Sequence, residues 1–155
     1  MTAEKPIWFW EHLAKDPESG SDDIHEALDA EERRMQDDPR VKYGISARWP
    51  VTAAVASRDD IPLDVAQRLS QHPEWSVRGL LARRPQAPPE VIDVLASDDK
   101  ATIRAFAAGN PACPPDTLER LAHDETDPLV VAEVAANPNT PEAARAFAAL
   151  RAEPA

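Results

Sequence analysis

Residues 103–125 read IRAFAAGNPACPPDTLERLAHDE, two short apolar stretches punctuated by Asn110-Pro111 and by Pro114-Pro115. Ile103 and Ala107 are four apart, which places both on one face of a helix. The ring of Pro111 pushes Asn110 out of the helical region, so the first helix must stop there. Pro114 suits the first position of a second helix, where a missing N–H leaves nothing unpaired. Asp116 follows where a carboxylate meets the helix dipole favourably. The second stretch then carries Thr117, Leu118 and Leu121 on one side. Neither helix is long enough to shelter its own apolar face, so the pair needs neighbours of the same kind.

Those neighbours stand on both sides of it. VRGLLARRPQAPPEVIDVLASDD at 77–99 and VVAEVAANPNTPEAARAFA at 130–148 align with this stretch, and Pro62, Pro88, Pro114 and Pro141 recur at steps of 26, 26 and 27 residues. Val51, Val77, Ile103 and Val130 form one apolar column; Val55, Leu81, Ala107 and Val134 form a second. Ala56, Ala82, Ala108 and Ala135 are identical, and Leu69, Leu95 and Leu121 recur at the same interval. The sixteen prolines therefore mark time along the chain rather than signalling disorder. These columns predict an all-α helical-repeat solenoid of about four 26-residue, two-helix units. First helices are expected over 77–83 and 103–108; second helices are expected to start at Pro88 and Pro114 and to carry their inward residues within 91–96 and 117–122, with a last helix over 141–150.

Outside the repeats the composition changes. Residues 1–40 hold 12 acidic and 5 basic side chains. Ser19, Gly20 and Ser21 break this region between expected helices at 7–14 and 22–35. An acidic N-terminal helical cap over 1–47 is the reading, with Trp8, Phe9 and Trp10 closing the first repeat face and a joining helix over 40–48. The solenoid would then run over 48–150, with a C-terminal tail at 151–155.

The three aligned stretches resemble the leucine-rich repeat variant family over about residues 51–150, through the pattern of Asn-Pro, two residues, then Pro. That resemblance implies a right-handed superhelix of paired short helices, the first of each pair often a 3-10 helix. Some members carry an N-terminal cysteine cluster holding an iron–sulfur centre. The only cysteine here is Cys113, so that cofactor is not carried over and none is expected.

The side chains that could do chemistry are few. Cys113 precedes a helix, where backbone N–H groups could activate a thiol, but its column mates Ile61, Ala87 and Thr140 point to a packing role. His12, His25, His72 and His123 show no metal-ligand spacing, and adjacent acids such as Asp98/Asp99 do not converge on a helix. No nucleophile triad, phosphate-cradling loop or HExxH is present, so no enzyme is expected. No apolar run reaches membrane-spanning length and the start lacks a signal-peptide pattern, which with the single cysteine leads to an expected cytoplasmic location.

Net charge is −11, yet residues 41–90 hold seven basic and five acidic side chains. Arg58 and Arg84 share one column and Arg78 and Arg104 another, with Arg83 beside them and Trp75 in the adjoining turn. Such an arginine row edged by tryptophan predicts a binding surface for a protein partner. The competing reading pairs these arginines with repeat acids. A noncatalytic protein-interaction scaffold is the leading expectation. An acidic inhibitory or immunity-type protein covering a basic target is the alternative, and nucleic-acid recognition through the arginine row, which the net charge opposes, comes third. The Ala-rich last helix adds the expectation of a homodimer through a terminal repeat.

Overall fold

A computed structural model describes residues 5–36, 38 and 49–152 of the chain. Among these residues there are ten helices and no strand. They are α1 Ile7–Lys15, α2 Ser21–Met35, α3 Pro50–Ala56, α4 Leu63–Ser70, α5 Trp75–Ala82, α6 Pro89–Leu95, α7 Ala101–Ala108, α8 Pro115–Asp124, α9 Pro128–Ala136 and α10 Glu142–Ala152. None of them is long and apolar enough to cross a membrane. The chain divides into two compact units, Met1–Leu69 and Ser70–Ala155. The joining helix over 40–48, the boundary between 47 and 48, and the end of the tail at 153–155 lie outside the described residues.

In the first unit α1 and α2 pack on α3, the first helix of the first repeat copy. Their apolar stripes meet as Trp10, Ala14, Ile24, Ala27 and Leu28 against Val51 and Val55, all buried. Each large aliphatic among them stabilises by roughly 1.5–3 kcal/mol relative to exposure. Trp8 departs from the expected capping role: it is 67% exposed, because only the third of the adjacent aromatics turns inward on a 3.6-residue period. One end of this packing is closed by a charged side chain. Glu31 of α2 is buried, and its carboxylate accepts the N–H groups of Val51 and Thr52 at 2.7 Å each and the Thr52 hydroxyl at 2.5 Å. It thereby caps the open N-terminus of α3.

In the second unit the apolar columns found in the sequence are inside. Val77, Leu81, Ile103, Ala107, Val130 and Val134 from the first helices are buried, as are Ile92, Leu95, Leu118 and Leu121 from the second. The first helix of each copy is α-helical rather than 3-10. Second helices begin one residue later than expected. Pro88 and Pro114 are the N-caps, with extended backbone at ψ 135° and 143°, and Pro89 and Pro115 take the first helical position. The cause is local: a residue that precedes proline is excluded from the helical region, so the first proline of each Pro-Pro pair cannot itself be helical.

Candidate interaction surface

The predicted arginine row is not one surface. In the first unit Arg58 is an internal clamp, its side chain 4% exposed. Its Nη1 donates to the carbonyls of Ala14 (3.2 Å) and Asp16 (2.6 Å), and its Nη2 to that of Ser19 (3.4 Å). The guanidinium fork thus satisfies carbonyls around the C-terminus of α1, so its donors are engaged within the first unit.

Arg78 and Arg104, in the second unit, repeat one arrangement. Arg78 Nε and Nη2 donate to the two carboxylate oxygens of Asp98 at 2.6 and 3.1 Å, while Nη1 donates to the carbonyls of His72 and Pro73. Arg104 Nε and Nη2 donate to Glu125 at 2.7 and 3.1 Å, while Nη1 donates to the carbonyls of Asp98 and Asp99. Each is a bidentate pair on a nearly buried acid, the strong form of such contacts. Hydrogen bonding from Arg104, against the opposing effect of burial, holds the Glu125 carboxyl down at about 2. For Asp98, burial alone would raise the pKa; the bonds from Arg78 and from the Lys100 N–H outweigh it and lower it. The competing reading of the sequence, arginines paired with acids of the repeats, describes these two residues. Asp98 and Glu125 are 27 apart and fall in different columns, so alignment alone could not match them to arginines 26 apart.

The column of Arg58 and Arg84 continues as Asn110 and Asn137, and these asparagines do similar work. Asn110 Nδ2 donates to the carbonyls of Ala82 (2.7 Å) and Arg84 (2.8 Å), and its Oδ1 accepts the Ala112 N–H at 2.8 Å. Asn137 does the same one copy later, with Ala108, Asn110 and Asn139. The Asn-Pro pattern is therefore a clamp between successive copies, in which each Asn holds the C-terminal carbonyls of the preceding first helix. Arg84 is half-buried.

Only Arg83 among the predicted arginines points outward without an ion pair among the described residues. It caps α5, is exposed, and its guanidinium lies 5.0 Å above the ring of Phe106 in α7. That ring lies over Gly79, 3.9 Å from where a Cβ would sit, and next to Gly79 Leu80 is 49% exposed. Trp75 is 47% exposed but starts α5, at the opposite end from Arg83. Leu80 and Phe106 stand 26 residues apart in one column of the repeat, and what makes them a patch is the stacking of Arg83 across two helices.

Cys113 is buried, and desolvation, with a smaller push from Asp93, raises its thiol to about 12. It is thus un-ionised and packs as a small apolar group. No curated protein and no solved structure matches the chain. Residues 101–125, the copy that carries the Arg104 and Asn110 clamps, match the family model described as Leucine rich repeat variant, in line with the resemblance read from the sequence.

Proposed function

We propose that the chain is a noncatalytic protein-interaction module that binds a protein partner through the outward face of α5 and α7, at Leu80, Arg83 and Phe106. In this reading the helix pairs of residues 70–155 stack as turns of a right-handed repeat solenoid and act in the cytoplasm. The clamps repeated at 26- and 27-residue intervals and the family match at 101–125 support the stacking. The observation that carries the binding role is Arg83 stacked on Phe106 beside exposed Leu80. Aromatic and arginine side chains dominate binding energy at interfaces, and an arginine already ordered on a ring loses little freedom on docking. A phosphate-binding row would need Arg78 and Arg104 free, and both are held on carboxylates.

The test is affinity enrichment from the native host with the full chain and with an Arg83→Glu, Leu80→Ser variant, quantified by mass spectrometry. One protein should be retained by the wild type and lost by the variant. Equal recovery by both would remove this face as the interface.

A further inference from the structure

The second helices of the repeat carry a different surface. Asp64, Glu90 and Asp116 form an acidic column there, and the first unit shows what that column can hold. Asp64 accepts a hydrogen bond from the Ser21 hydroxyl and sits 3.0 Å from His25 Nε2. One turn along α4, Arg68 lies 3.2 Å from the other ring nitrogen of His25 and pairs with Asp29 at 2.6 Å and Glu32 at 2.9 Å. Ser21, His25, Asp29 and Glu32 follow each other at helical spacing along one stripe of α2. An aspartate and an arginine one turn apart on a second helix thus grip a neighbouring helix, donors at one end and carboxylates at the other.

In the second unit α8 carries the same pair in register, Asp116 and Arg120. They line an open groove of about 570 Å³ with Glu90 and Asp93 of α6, between the proline walls of Pro89 and Pro114. Arg120 reaches Asp93 at 3.3 Å, and the Thr117 hydroxyl donates to Asp93 at 2.6 Å. Glu90 and Asp116 are exposed and have no hydrogen-bond or ion-pair partner among the described residues. Three carboxylates against one guanidinium leave the groove net negative, with its two unpaired acids in the column that holds Ser21 and His25 in the first unit.

We propose that this groove docks a helix of a partner protein with the chemistry of α2: a hydroxyl and an imidazolium or ammonium one turn apart facing Asp116 and Glu90, followed by a carboxylate facing Arg120. Complementary charge sets the register of such a helix and the rate of its encounter. The site does not depend on the Leu80–Arg83–Phe106 face.

The experiment is an amide ¹H–¹⁵N NMR titration of the full chain at about pH 6, where a free imidazole is largely protonated. The probe is an alanine- and glutamine-based helical peptide carrying Ser, His, Asp and Glu at the spacing of Ser21, His25, Asp29 and Glu32. Shifts should concentrate in the amides of 89–93 and 114–120. Asp116→Lys with Arg120→Asp, both at exposed positions, should weaken binding about tenfold or more. A peptide with the charges of its stripe reversed should bind that variant, while Arg83→Glu should leave the titration unchanged. No shift at these amides, shifts confined to residues 5–69, or equal binding by the charge-reversed variant would each overturn the proposal.

Discussion

Arginines that looked interchangeable as a row have separate employment because a guanidinium offers donors in a rigid fork, and repeat folds leave many carbonyls at helix ends in need of them. Arg58 serves the end of α1, and Arg78 and Arg104 join a carboxylate to two carbonyls of the preceding turn. Arg83 instead is exposed, with an aromatic ring beneath it. Glu125 gives a prediction at this scale. Its folded pKa is about 2 against an ordinary 4.5, so the folded state binds fewer protons than the unfolded one between those values. Stability from this group is therefore complete above about pH 4.5 and is lost as pH falls towards 2. Asp98, also lowered, adds in the same direction, whereas Glu31, raised by burial, opposes it. Urea unfolding across this range should show a steeper acid loss for wild type than for Glu125→Gln, which should be less stable at neutral pH. Parallel pH profiles for the two proteins would contradict the assignment.

At the scale of elements, the short helices owe their ends to proline and their joins to asparagine. Pro88-Pro89 and Pro114-Pro115 start the second helices, the first ring capping and the second entering the helix. The Asn before Pro111 and Pro138 sits outside its own helix and bonds carbonyls of the previous copy. Asn110→Ala should then leave the Ala82 carbonyl buried without its side-chain donor and the Ala112 N–H without its acceptor, costing about 1–3 kcal/mol in urea unfolding. Asn110→Asp should cost more, since a carboxylate would face two carbonyl oxygens. A loss under about 0.5 kcal/mol for Asn110→Ala, within the range of ordinary surface changes, would show that the clamp adds nothing.

Over the whole molecule, each of the two units encloses its own apolar core: Trp10, Ile24, Leu28, Val51 and Val55 in one, Leu81, Ile92, Ile103, Leu118 and Val134 in the other. Ile103→Ala opens a cavity in the second, at a cost of about 2–5 kcal/mol. Hydrogen exchange should therefore accelerate strongly in amides of 75–136 and little in those of 21–35. Equal acceleration in both would mean that the chain unfolds as one cooperative body. Much of the helical architecture was legible without coordinates, because apolar periodicity and proline act locally: Val77/Leu81, Ile103/Ala107 and the prolines mark helix faces and ends through sterics within a few residues. The candidate surface was legible only in part. Column alignment found Arg58, Arg78, Arg83, Arg84 and Arg104, but which of them face solvent depends on carboxylates and carbonyls brought from elsewhere in the chain, up to 44 residues away for Arg58 and Ala14. The amino-acid order alone determined the all-helical character, the repeat interval and the buried columns. The employment of each arginine, the stacking of Arg83 on Phe106 and the exposure of Glu90 and Asp116 were decided by tertiary packing, because electrostatic pairing follows distance in space and sequence spacing does not encode it.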